Sequence, residues 1–370
     1  MAARSPDVVI IGAGIIGSSI AYVLSHSTNL HITVIERGTA GCEASNAAAG
    51  VLAVGSVQAR RGVLLDLRRR SAHMFPDLVN VLEDETGHDL GYERAGILSL
   101  AFTESEAAEL QDLVVHRTGQ GFRCEWLDGA AVRALEPAVS ARVQAGALFA
   151  DDCTIDSEQF VHATVAAARR RGVEFRMHTS VRSVVSVNGT VRVALQSETL
   201  HPGVAVVAGG AWSAELLASS GVKVPLRPAR GEMLAVQPVG WRLRYTLATG
   251  DGYLVPRRGG EVLIGSTTAF VGFDKRVTTE GIATLRARAA EIVPAARAAP
   301  VKRTWAGLRP CSTIRRPIIA PLPSMENVIL ATGHHRSGIL LAPLTAQLTA
   351  ELVTGAAPSV PMRPLSYRRH

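Results

Sequence analysis

Lysine is nearly absent from this 370-residue chain. It stands only at Lys223, Lys275 and Lys302, so nearly all of the 39 basic residues are arginine. Against 32 acidic residues they leave a net charge of +7 and a pI near 9.7. That balance alone would suit a nucleic-acid binder. The arginine runs, however, at residues 68–70, 169–171, 315–316 and 368–369, are short, scattered and not interleaved with aromatics. Most of them read as solvated helix faces and chain ends, and no nucleic-acid partner is expected.

Cysteine is also sparse. Cys42, Cys124, Cys153 and Cys311 show no C-x-x-C or other close spacing. Neither a zinc site nor a disulfide framework is indicated, and a reducing cytoplasm fits. Long apolar runs are missing too. The opening run stops at glycines after four residues, and residues 328–348 are interrupted by His334, His335 and Arg336. Neither an export leader nor a membrane helix is expected. No period of 20 to 50 residues recurs, which excludes a repeat array. Disorder is excluded by composition: 47 % hydrophobic residues and a mean hydropathy of +0.18 supply core material for two domains.

What is present is concentrated first at residues 7–37, DVVIIGAGIIGSSIAYVLSHSTNLHITVIER. A short apolar run ends at Gly12, Gly14 and Gly17, in G-x-G-x-x-G spacing, and a helical pattern follows. Gly12 suits a tight turn, a side chain at Gly14 would collide with a pyrophosphate, and Gly17 lets helix and strand lie close. The helix start then offers amides to negative charge. A second apolar run ends in Glu36, 24 residues after Gly12. An acid there accepts hydrogen bonds from a ribose diol and repels a 2′-phosphate, which favours FAD or NAD over NADP.

The rest of the chain alternates helices and short strands. Residues 42–52, CEASNAAAGVL, are small enough to let backbone approach a flat ligand. Helices are expected over 61–86, 104–116, 157–171, 279–292 and 337–353, and strands over 95–102 and 122–127. Residues 146–156, GALFADDCTID, read as a turn-rich acidic link. Strands follow over 173–177, 181–187 and 191–195, the last two joined by an Asn188-Gly189 turn. Further strands are expected over 204–207, 232–236, 253–256, 262–264, 301–308 and 327–330. The fold expected is α/β: an interrupted Rossmann-type, glutathione-reductase-like nucleotide-binding domain (1–84, 147–220 and 306–370). A mixed β-sheet substrate domain (85–146 and 221–305) is inserted into it.

Four segments in register resemble the glycine oxidase branch of the D-amino-acid oxidase family. They are the fingerprint with ASNAAAGVL, DGYLVPR at 251–257, WAGLRP at 305–310 and ATGHHRSGILLAP at 331–343. The resemblance implies non-covalent FAD and a small carboxylated amine as substrate, such as glycine, sarcosine, an N-substituted glycine or a D-amino acid. Hydride would pass from the α-carbon to the flavin, the imine would hydrolyse, and O2 would be reduced to hydrogen peroxide. It also implies that Arg309 pairs with the substrate carboxylate, that Tyr253 assists it, and that Arg336 lies near the flavin ring.

Cofactor contacts are expected from Gly12, Gly14, Ile15, Ile16 and Gly17, then from Glu36 and Arg37. The small-residue stretch adds Ser45, Asn46, Ala48, Ala49, Gly50 and Val51. Later segments add Val181, Ala208, Gly209, Trp212, Gly307 and Arg309, and finally His334, His335, Arg336, Ser337, Gly338 and Ile339. A planar guanidinium offers paired donors to a carboxylate, and Arg309 stands in an otherwise apolar run, where an unpaired charge is costly. His334 and His335 are adjacent and so point apart, with no acid or third histidine at ligand spacing, so no metal is expected. No catalytic acid or base is assigned, because a neutral amine's lone pair can drive hydride loss.

Three departures from the family pattern bear on the substrate. CSTIRRP puts Ile314 and Arg315 where an Asp-Gly turn is usual, Asp251 stands where histidine is common, and Ser337 replaces a frequent asparagine. Together with Arg316 they imply a bulkier carboxylated amine than glycine. The alternatives are an NAD-dependent amino-acid dehydrogenase, disfavoured by the lack of a second glycine fingerprint, and a flavin-binding protein without turnover. The oligomeric state is left open, a homo-oligomer included.

Overall fold

Runs of four apolar, mostly β-branched residues start the fold, and burial on both faces is what makes them parallel-sheet strands rather than surface ones. The computed structural model describes residues 5–27, 29–57 and 62–366. In chain order the elements are β1 (Val8–Ile11), α1 (Ile15–Ser27), β2 (Ile32–Ile35), β3 (Val51–Leu52), α2 (Val63–Thr86), β4 (Ile97–Ala101), α3 (Glu104–Gly119), β5 (Cys124–Asp128), α4 (Gly129–Leu135), β6 (Ala145–Phe149) and β7 (Cys153–Thr154). Next come α5 (Ser157–Arg170), β8 (Glu174–Arg176), β9 (Ser183–Val187), β10 (Thr190–Ala194), β11 (Thr199–Leu200), β12 (Val204–Val207), α6 (Ser213–Ala218), β13 (Leu226–Val236), β14 (Thr246–Ala248), β15 (Tyr253–Pro256) and β16 (Val262–Gly265). The last are α7 (Thr279–Ile292), β17 (Val301–Ser312), β18 (Ile318–Leu322), β19 (Met325–Thr332) and α8 (Gly338–Thr354).

Two large sheets organise these elements. The first runs β18-β19-β12-β1-β2-β8, parallel except for β18. Its order places β1 beside both β2 and β12, the reversal point at which Rossmann sheets bind dinucleotides. Helices α1, α5 and α8 cover one face through Ile20, Leu24, Phe160 and Leu340. On the other face the small sheet β11-β10-β9 packs through Val184, Val191 and Val193. The second sheet runs β17-β13-β16-β15-β14-β4-β6-β5 and is antiparallel except between β14 and β4. Helix α7 lies on it through Leu285 and Ala289. No helix among the described residues is long and apolar enough to cross a membrane.

Strands 204–207 and 253–256 and helix 279–292 fall where sequence places them. Thr278 caps that helix by accepting from the Gly281 amide. Residues 146–156 differ: they are not a turn-rich link but contain β6 and β7. Gly146 there is a packing glycine, since a Cβ would stand 2.7 Å from Val132 Cγ2 and 3.0 Å from the Ser99 carbonyl. Strands 232–236 and 301–308 are also too short in the expectation. The real β13 and β17 pair from Leu226↔Ser312 to Val236↔Val301, and pairing of that length is not written in either segment alone. The expected domain limits at 146/147 and 305/306 fall inside β6 and β17. The expected helix start at Arg61 and the run 368–369 lie outside the described residues.

Candidate active site

The nucleotide end is assembled by the first β-turn-α unit. Gly12 has φ +107°, and a Cβ there would stand 2.6 Å from the Ala208 carbonyl oxygen, so this turn meets the end of β12 directly. Gly17 faces away from the cavity, where a Cβ would overlap the Gly12 carbonyl. Around Gly14 only Ser45 Oγ lies within 4 Å of such an atom, at 3.3 Å, which leaves the approach from the cavity open. Ser45 Oγ accepts from the Ile15 amide at 3.0 Å. Glu36, at the end of β2, accepts from the amides of Ala13 (2.9 Å) and Gly38 (2.8 Å). Each carboxylate oxygen still has a lone pair for a ribose hydroxyl. Arg37 stacks over the Trp212 ring at 3.8 Å and pairs with Glu43 at 2.9 Å.

Two buried charged residues and one half-buried one hold the cavity wall in place, and none of them has a role readable from sequence. Asp152 accepts from the consecutive amides of Val54, Gly55 and Ser56 at 2.7–2.8 Å. Fully buried Arg117 donates to the carbonyls of Gly55 and Val57, each at 2.9 Å. Arg257 donates to the carbonyls of Ala49 (2.9 Å) and Ile155 (3.0 Å). Each is a side-chain to backbone bond across 60 to 208 residues, which no local pattern reveals.

At the amine end, Arg309 projects from β17 across Gly231 of the paired strand β13. Its Nη1 donates to the Thr267 carbonyl at 3.1 Å, and Tyr253 lies beside it. Burial lowers its pKa from the usual guanidinium value, and no carboxylate lies within ion-pair distance among the described residues. Tyr253 Oη is 3.5 Å from Met233 Sδ. His334 Nε2 is 3.0 Å from Thr345 Oγ1, and burial pulls its imidazole down to about 3. His335 has φ +51° and a buried Nε2 without a hydrogen-bond partner. Burial, then Arg309, Arg336 and Arg68, pull it down to about 4, so both rings are neutral at pH 7. Arg336 donates to Thr268 Oγ1 at 2.9 Å.

These residues surround one cavity of about 1340 Å³. That exceeds the roughly 300–1,000 Å³ of a site for a single drug-sized ligand, so a dinucleotide and a small second molecule fit together. Of the residues expected from sequence, all but Gly17 and Asn46 line it. Asn46 is turned onto Gly41, whose carbonyl accepts from its amide at 3.0 Å. The open approach at Gly14 and the small wall of Ala47, Ala48 and Ala49 suit a flat dinucleotide such as FAD. Cys42 is the cysteine on the wall, and it packs by Gly38 and Glu36 at the ribose end.

Two expectations need correction. Ile314, Arg315 and Arg316 are not on the cavity wall: Ile314 packs on the cluster containing Val184 and Leu322, under the small sheet, and Arg315 turns the chain with φ +59°. Their bearing on substrate size therefore falls away, whereas Asp251 does line the cavity. Arg68, expected on a solvated helix face, is half-buried and on the wall.

A Rossmann sheet carrying a dinucleotide turn, roofed by an antiparallel sheet that delivers a half-buried guanidinium, has the build of a dinucleotide-dependent oxidoreductase. The chain belongs to the DAO family of FAD-dependent oxidoreductases, whose description matches residues 7–352, and it takes FAD. It is 32 % identical over 366 residues to the glycine oxidase of Geobacillus kaustophilus, covering 98 % of this chain and 97 % of that one. It is 31 % identical over 386 residues to hydrogen cyanide synthase subunit HcnC of Pseudomonas aeruginosa, covering 95 % and 93 %. The crystal structure of the Geobacillus kaustophilus glycine oxidase superposes with a TM-score of 0.94 over 99 % of each chain. These relatives make the protein an amine or amino-acid oxidase dependent on FAD.

Proposed function

We propose that the protein oxidises a small amine carrying a carboxylate, of the glycine, sarcosine, N-substituted glycine or D-amino-acid type. The imine is then hydrolysed and O2 reduced to hydrogen peroxide. The observation that carries this reading is Arg309, a desolvated cation on the cavity wall with no acidic partner among the described residues. Unlike Arg117 and Arg257, each of which spends its donors on two carbonyls, Arg309 has one carbonyl partner, and a carboxylate matches its remaining planar donors. The glycine oxidase relatives support the same class.

Bound FAD supplies the acceptor for the two electrons of the α-carbon–hydrogen bond. The chain's own residues do the rest. Arg309 holds the carboxylate, with one nitrogen fixed on the Thr267 carbonyl and the other donors free to turn toward the ligand. Tyr253 adds a hydroxyl beside it. Neutral His334 and His335 add no positive charge near the amine, which favours the amine entering with its lone pair free. No side chain is assigned as general base. We propose further that the Rossmann sheet forms the FAD-binding part and the eight-stranded sheet the substrate part, with limits at strand ends rather than inside β6 and β17. FAD is proposed to be held without a covalent bond, as the cavity's cysteine is at the ribose end.

Anaerobic titration of the yellow protein tests this reading. Glycine, sarcosine or a related carboxylated amine should bleach the flavin, and air should restore the colour with release of peroxide. No bleaching by any of the panel would refute it.

A further inference from the structure

Arg309 is not the only cation on the cavity wall without an acid. Arg68 comes from the second turn of α2, where its neighbours Arg69 and Arg70 are exposed and it alone turns inward. Among the described residues no carboxylate lies within ion-pair distance of it. Its Nε and Nη2 instead donate to Ser337 Oγ at 3.1 and 2.8 Å.

That hydroxyl stands at the position that would cap α8. Because it is turned toward Arg68, no side chain caps the helix, and Gly338 and Ile339 of its first turn line the same cavity. A positive helix end and a desolvated guanidinium thus coincide. Arg68, Arg309 and Arg336 all line the cavity with His335, and the positive charge of each disfavours protonation of that imidazole.

We infer that Arg68 is a second anion-holding group of the cavity, braced by Ser337 beside the uncapped start of α8, and that it completes its charge with one that the reaction brings or creates there. Two sources have that chemistry. One is the negative charge left on the flavin by two-electron reduction, which a nearby cation stabilises. The other is a second carboxylate on the substrate, beyond the one assigned to Arg309; this source rests on the proposed function.

FAD-loaded Arg68→Met, with Arg68→Lys as the charge-keeping control, separates the sources. If the charge is the flavin's, Arg68→Met lowers the midpoint potential by a tenfold shift in the reduction equilibrium, about 30 mV for a two-electron couple. Sulfite binding to the oxidised flavin also weakens about tenfold. If the charge is the substrate's, KM for a dicarboxylated amine such as iminodiacetate rises tenfold while KM for sarcosine is unchanged. Arg68→Lys keeps most of either property. Should Arg68→Met not retain FAD, Arg68→Gln is measured in the same way. Wild-type potential, sulfite affinity and KM ratio in an FAD-loaded variant would overturn the inference. Arg309→Ala, run beside it, isolates the other reading: unchanged sarcosine binding there removes the Arg309 assignment and leaves the potential and sulfite results for Arg68 standing.

Discussion

The guanidinium of Arg309 lies across Gly231, so that a Cβ at residue 231 would overlap its Nη1, Nη2 and Cζ. The two residues sit on paired strands, with Gly231 opposite Gly307 and Arg309 opposite Ala229. A missing side chain on β13 is therefore what lets a charge on β17 face the cavity. Gly231→Ala should push the guanidinium aside and raise KM about tenfold to a hundredfold, roughly 1.4 to 3 kcal/mol. Flavin content and kcat should change little. Steady-state kinetics with the best carboxylated amine decides it, and an unchanged KM would show that the contact is incidental.

Removing the charge itself should do more. Arg309→Ala should raise KM by about thirtyfold to a few thousandfold, because a desolvated charged pair contributes on the order of 2 to 5 kcal/mol to binding. Tyr253→Phe should cost roughly 1 kcal/mol, one hydroxyl's worth. Both variants should stay yellow. Wild-type turnover of the best substrate by Arg309→Ala would end the carboxylate assignment.

FAD retention should depend on the first turn in a graded way. A valine at Gly14 projects into the cavity, since the one atom near that position is Ser45 Oγ at 3.3 Å. Gly14→Val should purify colourless. Glu36→Ala loses two braces, on the Ala13 and Gly38 amides, but fills no space, and should hold FAD more weakly rather than not at all. The flavin-to-protein absorbance ratio reads both, and full occupancy in Gly14→Val is incompatible with phosphates crossing there.

Glycine spacing, a terminal acid and buried four-residue runs act over short distances, so the β1-α1-β2 unit was legible, as were β12, β15 and α7. The hairpin at Asn188-Gly189 was legible for the same reason, with φ +51° and +75° at the two turn residues. Helix α4 and strands β14 and β18 escaped because their segments are short and take their shape from neighbours. Arg68 reaches Ser337 across 269 residues, and Arg257 reaches Ala49 across 208. Such partners are set by the tertiary fold, and an arginine run on a helix looks the same whether one member turns inward or none does.

Stability should fall on the acid side of neutrality because of His334. Its folded value of about 3 lies below the ordinary 6.5, so the fold favours the neutral ring. The contribution is complete above pH 6.5 and is lost as pH falls toward 3, the loss by then amounting to about 4 kcal/mol. His335, drawn down to about 4, adds in the same direction but less, being more open to solvent. Denaturant midpoints between pH 7 and pH 4 should therefore drop more in the wild type than in His334→Gln. The Gln variant keeps a partner for Thr345 but does not titrate. Equal drops in the two proteins would exclude His334 as the cause.

Substrate size is the remaining question, and the cavity rather than the 314–316 segment now bears on it. With Arg309 and Tyr253 fixing the carboxylate, a substituent on the amine has to find room elsewhere in the cavity. The wall contributed by β4 and α3 carries an apolar group, Ile97, Leu100, Leu110 and Leu113, beside the polar Ser99, Glu106 and Glu109. Free glycine has no atoms to bury against such a surface. An N-alkyl group does, at roughly 0.8 kcal/mol per methylene removed from water, or a factor of about four in binding for each. Asp251 at the same cavity adds a polar group for a longer tail. The expected order of kcat/KM is therefore N-ethylglycine above sarcosine above glycine, measured by peroxide release at equal oxygen. Leu110→Ala should flatten the order by removing apolar contact, while leaving glycine itself unaffected. Glycine as the best substrate would mean that this wall does not meet the amine substituent.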